Sequence, residues 1–411
     1  MALAPPAWAR LAGTTDPVAQ LLVETRALRG FADGLVSVLL AGYLVDLGFG
    51  ARQVGLITTM TLVGSAAATL SLGLVAHRWS RHALLVIAAI VMALTGLAFL
   101  AVQSFWVLLP IAFVGTLNPS SGDVSVFLPL EQAEIAHVIP ATERTTVFAR
   151  FSLAANLAAA FGSLTAGAIA AVVASQALDP ERAGQAGFLV YIGIGLFVFS
   201  RYRNLPADPT ATIEGAPRHG LHKSRNVVMK MAAVFSLDSL GGGFVIQTML
   251  ILWLHERWGM SAASAGLLFS VASLLAAFSM LAAPRLANRI GLINTMVFTH
   301  LPANIFLMIT PFMPTLPLAI TTLLLRWSLS SMDVPARTAY VMSVVEPDER
   351  AAAASVTNVP RSLASAVSPA IAGQLLSMTA FGWPLLVGGG MKAAYDLILL
   401  KMFRDIPPDR G

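Results

Sequence analysis

The chain has 411 residues, of which 56% are hydrophobic and only 11% are charged, and its mean hydropathy is +0.75. Soluble domains carry about a quarter charged residues, so this deficit along the whole length indicates that lipid is the solvent. Cysteine is absent, which excludes disulfides and thiolate metal sites. The formal net charge of +5 fits basic loops beside apolar spans, so we expect no nucleic-acid partner.

A membrane-spanning helix needs about 20 mostly apolar residues. Twelve segments meet this requirement, which predicts an all-α membrane protein with twelve transmembrane helices. In chain order they are 26–47, 53–76, 83–102, 106–136, 146–174, 186–203, 228–254, 262–284, 292–313, 317–344, 352–378 and 384–402. The longest hydrophilic stretch, 201–230, separates the first six from the last six.

The two halves repeat the same motifs about 210 residues apart. Ser120-Ser121-Gly122-Asp123-Val124 in the fourth span returns as Ser330-Ser331-Met332-Asp333-Val334 in the tenth. Glu143-Arg144 returns as Glu349-Arg350. Repeated halves in a membrane protein favour two pseudo-symmetric six-helix bundles that rock about a shared central site. The repeat therefore indicates transport before any single residue does.

The distribution of Lys and Arg predicts the topology. With the N-terminus placed in the cytoplasm, 19 of them fall at inner loops and ends and three at outer loops. By the positive-inside rule, both termini are expected to be cytoplasmic and the protein to lie in the cytoplasmic (inner) membrane. We expect a six-helix half at 1–203, a cytoplasmic central loop at 204–227 and a second six-helix half at 228–411.

The loop between the second and third spans carries a recognisable pattern. Gly73-Leu74-Val75-Ala76-His77-Arg78-Trp79-Ser80-Arg81-His82 resembles the signature of the major facilitator superfamily, which runs Gly, three residues, Asp-Arg, any residue, Gly-Arg and a basic residue. The second-half counterpart is Pro284-Arg285-Leu286-Ala287-Asn288-Arg289-Ile290-Gly291. His77 and Ser80 depart from the pattern, since they stand where the family has an acid and a glycine.

This resemblance covers essentially the whole chain and implies a secondary transporter whose central cavity is lined mainly by spans 1, 4, 7 and 10. The family's loop gates the cytoplasmic side, and Asp333 shares a helix face with Arg337. The expected gating residues are therefore Arg78, Arg81, Arg289, Asp333 and Arg337. The alternative is a degenerate loop in which Arg78 and Arg81 only set the topology.

Ionisable residues inside spans are costly and mark functional sites. Arg326 and Lys392 lie near the middle of the tenth and twelfth spans, and Asp396 follows Lys392 by four residues on the same helix face. These three are the expected substrate-binding residues. The alternative for Lys392 and Asp396 is a structural ion pair, and the alternative for Arg326 is an acid on another helix.

The expected proton carriers are buried carboxylates, because burial favours the protonated form. The candidates are Asp33, Asp123 and Asp238; for Asp33 the alternative is a local ion pair with Arg29. His300, with Asn304, is expected to be a hydrogen bonder in helix packing more often than a ligand. Glu131 and Glu134, near the inner end of the fourth span, are expected to be solvated.

Enzyme signatures are missing: the sequence has no phosphate-binding loop of the Gly-x-x-x-x-Gly-Lys-Ser/Thr type and no His-Glu-x-x-His. We therefore expect no enzymatic activity and no cofactor. The expected function is proton-coupled alternating-access transport of a small molecule by a lipid-embedded monomer, with efflux of an amphipathic, drug-like solute as the first interpretation. The alternatives are uptake of a small organic anion, or a non-transporting sensor or lipid-handling protein on the same scaffold.

Overall fold

The computed structural model describes residues 14–75, 79–120, 126–205, 222–346 and 349–403. In these ranges the chain forms fifteen α-helices and a short 3-10 helix, Thr310–Phe312, that extends α11. The α-helices are α1 (Pro17–Asp46), α2 (Ala51–Val75), α3 (Arg81–Ala101), α4 (Phe105–Val114), α5 (Phe127–Val138), α6 (Ala141–Ser175), α7 (Glu181–Arg203), α8 (Arg225–Gly243), α9 (Gln247–Trp258), α10 (Ala262–Ile290), α11 (Leu292–Ile309), α12 (Leu316–Ser330), α13 (Asp333–Val344), α14 (Arg350–Met378) and α15 (Trp383–Phe403).

The twelve predicted spans correspond to these helices in order, and the all-α prediction is confirmed. Three spans that the sequence predicts as continuous are each broken into two helices: the fourth into α4 and α5, the seventh into α8 and α9, and the tenth into α12 and α13. The breaks follow Val114, Gly243 and Ser330. Glycine and serine near these points weaken the helix. Because the sequence is apolar on both sides of each break, hydropathy predicts one continuous span.

Eight stretches of described helix are long and apolar enough to cross a membrane. The other four predicted spans are the broken fourth and tenth, and the last two, α14 and α15. Helix α14 contains Pro360 and Pro369, and α15 carries Lys392 and Asp396 within its apolar sequence, so hydropathy alone undercounts them.

Helix α1 begins at Pro17, well before the predicted position 26. Asp16 caps it, since its Oδ1 accepts hydrogen bonds from the backbone N–H groups of Val18 and Ala19, both at 2.9 Å. A capping aspartate followed by proline at the first helical position is a strong helix start. Hydropathy missed this polar first turn.

The chain divides into two compact units. The first comprises Met1–Gly48, Gly64–Gly215 and Ser261–Ser270; the second comprises Phe49–Val63, Ala216–Met260 and Val271–Gly411. The two short segments 49–63 and 261–270 thus group with the opposite half of the sequence. The boundaries predicted at 203 and 228 remain a prediction.

Each unit repeats the same packing pattern. In the first, α1 packs against α6 and α7, and α3 packs against α7, α4 and α5. In the second, α8 packs against α14 and α15, and α11 packs against α15, α12 and α13. The pairing of first with fifth and sixth spans, and of third with sixth and fourth, is therefore common to both. The sequence repeat is a structural repeat.

Small residues allow the closest of these helix contacts. A Cβ added at Gly30 on α1 would lie 3.0 Å from the Cα of Ala155 on α6, and one at Gly243 on α8 would lie 2.8 Å from the Cβ of Ser368 on α14. Ser368 also donates to the Leu240 carbonyl at 2.7 Å. Close approach at small residues is how helices associate in lipid.

The carboxylate of Glu349 fixes the start of helix α8. Glu349, directly before α14, accepts backbone N–H bonds from His222 at 2.8 Å, Lys223 at 2.9 Å and Ser224 at 2.9 Å. Those three residues precede α8, so the carboxylate caps its N-terminus. Hydrogen bonds from the His222, Ser224 and Lys223 N–H groups, stronger together than the opposing effect of burial, lower the pKa of Glu349 to about 2.

We expect Gly30→Ala to destabilise the protein by about 1–3 kcal/mol, because the added methyl group overpacks the α1–α6 contact. Gly42→Ala on the same helix is the matched control, since nothing lies within 4 Å of a Cβ there, and it is expected to leave stability unchanged or raise it. Denaturant unfolding of both variants in detergent measures the difference. Equal stability of the two variants would contradict the assigned packing.

We expect Glu349→Gln to lower the melting temperature at neutral pH. The uncharged amide would accept the three N–H hydrogen bonds less strongly than the carboxylate does. The folded pKa is below the ordinary value of 4.5, so the stabilisation is complete above about 4.5 and is lost as pH falls towards about 2. The difference from wild type should therefore shrink over that window. Glu346→Gln, which breaks an exposed pair with Lys223, is the control; a pH-independent difference would refute the cap.

Candidate functional site

A cluster of charged side chains is buried where α8, α13 and α15 meet in the second unit. Asp238 on α8 accepts a hydrogen bond from Lys392 Nζ on α15 at 2.5 Å and one from Arg337 Nη1 on α13 at 3.1 Å. These residues are only 5%, 8% and 8% exposed. Because an isolated buried charge costs several kcal/mol, the three charges are stable only as a set.

Arg337 is shared with a second carboxylate. Asp333 Oδ2 lies 3.4 Å from Arg337 Nη1, as their four-residue spacing predicts. Two cations therefore face two carboxylates in this group. Asp333 and Arg337, predicted from sequence to be gating residues, lie in the same network as Asp238 and Lys392; their gating role stays a prediction.

Lys392 has a different ionic partner from the one that its helix suggested. The sequence offered an ion pair with Asp396 as one interpretation, but the ammonium contacts Asp238 on α8. Glycines permit this, because a Cβ added at Gly241 would lie 2.7 Å from the Gly388 carbonyl and 2.8 Å from Lys392 Cγ. The helices α8 and α15 thus come close enough for a lysine on one to reach the aspartate on the other.

Asp396 points to α11 instead. Its Oδ1 lies 2.9 Å from His300 Nδ1, and its Oδ2 accepts a hydrogen bond from Asn304 Nδ2 at 2.9 Å. The other ring nitrogen of His300, Nε2, lies 3.8 Å from Asp238 Oδ1. A histidine therefore stands between two carboxylates, in addition to any role in helix packing.

Two further span cations of this unit are not exposed to solvent and form no ion pair with a carboxylate in the described ranges. Arg326 on α12 is 8% exposed, and its Nε has no hydrogen-bond partner there. Arg361 on α14 donates to Ser239 Oγ at 3.1 Å and to Asn358 Oδ1 at 3.3 Å, both neutral acceptors. Both guanidinium groups interact electrostatically with Asp238. They could therefore receive an additional anion.

The first unit has its own buried ion pair. Arg29 on α1 donates to Glu131 on α5, and Tyr202 on α7 donates to the other oxygen of the same carboxylate at 2.6 Å. Glu131 is fully buried, so the expectation that it is solvated was wrong. Distant helices supply its partners, which spacing along the fourth span could not show. Glu134 is 14% exposed and lies 3.4 Å from Arg81.

The predicted proton carriers are placed unevenly. Asp33 is 8% exposed and accepts a hydrogen bond from Asn118 Nδ2 at 3.3 Å. Asp238 belongs to the cluster above. Asp123 lies outside the described residues, as does the gating candidate Arg78. The remaining gating candidate, Arg289, is exposed near the end of α10.

The sequence did not identify several residues that the structure places in the buried polar networks of the two units. Arg361 was not proposed, and His300, Asn304 and Glu131 were not assigned to a site. The available signal was their occurrence as polar residues inside apolar spans, with His300 and Asn304 one helical turn apart. What hydropathy and spacing could not supply was the identity of the facing helix.

Two similar helical units with buried charges in their spans define a membrane transporter. Residues 25–369 match the Major Facilitator Superfamily, and the chain belongs to that family. It is therefore a multi-pass membrane protein of a family of small-solute transporters, and not an enzyme.

Three similar proteins illustrate the range of the match. The "uncharacterized membrane protein YJR124C" of Saccharomyces cerevisiae is 25% identical, over 93% of each chain. A "Na(+), Li(+), K(+)/H(+) antiporter" of Planococcus maritimus is 36% identical over 118 residues, 28% of this chain and 27% of that protein. The crystal structure of the nucleoside transporter NupG has a TM-score of 0.71 at 15% identity, over 95% of this chain and all of that one. The last likeness shows the fold alone.

We expect Asp238→Asn to destabilise the protein by about 3–5 kcal/mol, because it leaves buried Lys392 and Arg337 short of one negative charge. Adding Lys392→Met to Asp238→Asn removes the excess cation and should recover part of the loss. Unfolding of the single and double variants measures this coupling. Asp179→Asn, at an exposed pair with Arg182, is the control and should change stability by less than about 1 kcal/mol; additive effects of the two buried changes would contradict the pairing.

Proposed function

We propose that the protein is a proton-coupled secondary transporter whose cargo is a small organic anion. The observation that carries this proposal is the excess of cations over carboxylates in the second unit. Among its described span residues that are not exposed to solvent, Arg326, Arg337, Arg361 and Lys392 stand against Asp238, Asp333 and Asp396. This leaves one positive charge when His300 is neutral and Asp396 is ionised, and two when Asp396 is protonated. An anionic solute would balance that charge during transport.

The geometry of the two guanidinium groups supports a carboxylate or a similar planar anion. A guanidinium offers several N–H donors in a fixed fork, which matches carboxylate geometry. Arg326 has an unused donor, and Arg361 is held by neutral oxygens only. Arg326, predicted from sequence as a substrate contact, keeps that role here. Lys392 and Asp396 are proposed to act on the substrate through the charge of the cluster.

Proton coupling is supported by the concentration of carboxylates within spans, since adding a proton to one changes the charge of the whole buried set. The sequence predicts Asp33, Asp123 and Asp238 as the carriers, and Asp396, a further buried carboxylate, is an additional candidate. The stretch shared with the Planococcus antiporter also favours a proton-linked exchange; the cations named for that protein do not bear on the cargo proposed for this one.

The finer features of the transport cycle are proposals as well. We propose, as the sequence predicts, that the protein works by alternating access in the cytoplasmic membrane and that both of its termini are cytoplasmic. We also propose that it is a monomer surrounded by membrane lipids. Efflux of an amphipathic, drug-like solute stays the competing prediction for cargo and direction. It differs from the anion proposal in requiring no cationic contact, so a charge change at Arg326 distinguishes the two.

The proposed function predicts that proteoliposomes containing the full chain accumulate or exchange labelled organic anions when a pH gradient is imposed. Benzoate and succinate serve as anionic probes, xylose as a neutral probe and ethidium as the amphipathic cation. A protonophore should abolish the driven component. Arg326→Gln should lower anion affinity by about 10- to 100-fold, the equivalent of a lost charged hydrogen bond of about 1.5–3 kcal/mol.

Arg225→Gln is the matched control, because Arg225 is exposed at the start of α8. This substitution should leave anion affinity unchanged. Driven transport of ethidium without any anion flux would favour the efflux alternative. Anion flux that does not depend on the pH gradient would refute the coupling, and flux of no probe together with retained ligand binding would favour a sensor.

A further inference from the structure

We propose that His300 and Asp396 together hold the coupling proton, and that Lys392 exchanges Asp238 for Asp396 as its partner when that proton leaves. The proposal rests on the proton coupling proposed above and assigns it to a pair on α11 and α15. Neither residue was among the carriers that the sequence suggested, although both lie in the buried network that the structure describes.

The pair is enclosed and closely spaced. His300 is 2% exposed, and Asp396 and Asn304 are fully buried. Asn304 Nδ2 lies 2.9 Å from Asp396 Oδ2 and 3.2 Å from His300 Nδ1. One proton can lie between His300 Nδ1 and Asp396 Oδ1, with the other imidazole hydrogen on Nε2. We place it on the carboxyl group, because two neutral groups cost less to bury than two charges.

Charge balance makes this proton the removable one. Asp238, Asp333, Arg337 and Lys392 already form a neutral group. The His300–Asp396 pair is also neutral with one proton, whichever of the two atoms carries it. Loss of that proton to water leaves a negative charge on Asp396, which forms no ion pair with a lysine or arginine in the described ranges. A buried anion of this kind costs several kcal/mol unless a cation approaches.

Other groups around the pair set its field. Asp238 Oδ1 on α8 lies 3.8 Å from His300 Nε2 and 2.5 Å from Lys392 Nζ on α15, and the ring of Tyr395 stands edge-on to His300 at 5.9 Å. From α12, α13 and α14, the guanidinium groups of Arg326, Arg337 and Arg361 interact with Asp238, and Asp333 pairs with Arg337.

Lys392 is placed to respond. It precedes Asp396 by four residues, so both lie on one face of α15, and its flexible four-carbon stem allows the ammonium to move. Asn304 Oδ1 is a buried acceptor with no hydrogen-bond partner in the described ranges, and it lies beside Asp396. An ammonium group that leaves Asp238 would therefore find both a carboxylate and an unsatisfied amide oxygen.

The consequence is a change in how the helices are tied. With the proton bound, Lys392 links α15 to α8 through Asp238. With the proton gone, Lys392 bonds within its own helix and to Asn304 on α11, and the α8 link through Asp238 and Lys392 is released. Asp238 keeps its ion pair with Arg337 and its electrostatic interactions with Arg326 and Arg361, which replace the charge of Lys392. One proton thereby couples the charge of the site to the attachment of α8, immediately before the break that ends it at Gly243.

The test is an infrared pH titration of the full chain reconstituted in lipid vesicles, followed at the carboxylic-acid C=O stretch. Wild type is expected to lose one such band as the pH rises. Asp396→Asn should abolish the band, Asp396→Glu should restore a titrating one, and His300→Gln should shift its midpoint by about one pH unit or more. Asp179→Asn, at the exposed pair with Arg182 in the first unit, is the control and should leave the band in place.

A titrating band that persists in folded Asp396→Asn, or a midpoint unchanged in His300→Gln, would overturn the proposal. If Asp396→Asn fails to fold, the His300→Gln midpoint decides alone. The wild-type flux assay keeps the two proposals apart. Proton-driven anion flux without the His300–Asp396 titration would refute only this assignment, whereas the titration without driven flux would refute the proposed function and leave the proton site standing.

Discussion

A charged side chain inside an apolar bundle has to find its counter-charge on a neighbouring helix, and the interior of each unit is arranged around that requirement. In the first unit Arg29 on α1 meets Glu131 on α5; in the second Asp238 on α8 meets Arg337 on α13. Each pair joins the first and fourth spans of its half. Because separating either pair would leave a buried charge uncompensated, these bonds fix how the helices pack as firmly as the small residues do.

The repeat reverses the sign of this bond. The cation of the first unit's pair, Arg29, lies on the first span of its half, whereas the acid of the second unit's pair, Asp238, lies on the first span of the other half. The sixth spans differ as well, since Tyr202 contacts Glu131 in the first unit while Lys392 contacts Asp238 in the second. The same scaffold therefore carries, as its most deeply buried ionic group, a cation–acid pair with a neutral phenol in one unit and a larger ionic network in the other.

The sequence predicted the architecture well because apolar length, basic loops and repeated motifs are properties of segments. It predicted the helix breaks poorly, since the residues around Gly243 and Ser330 remain apolar on both sides. It also misjudged individual contacts. Lys392 was compared with Asp396 because both lie on one helix face, yet its partner is Asp238, 154 positions away in the chain. Glu131 was expected in solvent for the same reason: only the fold supplies Arg29 and Tyr202.

The difference between the two units locates the proposed chemistry. In the first unit, Arg29 is matched by a carboxylate that also receives a phenol, an arrangement suited to holding helices together. In the second, Arg326 and Arg361 contact no carboxylate in the described ranges, and His300 with Asp396 adds a proton whose loss changes the net charge. Binding of an anion lowers the net charge of this buried network, and binding of a proton raises it. Both can therefore act on Lys392 and its link to α8, which would make the binding of one depend on the presence of the other.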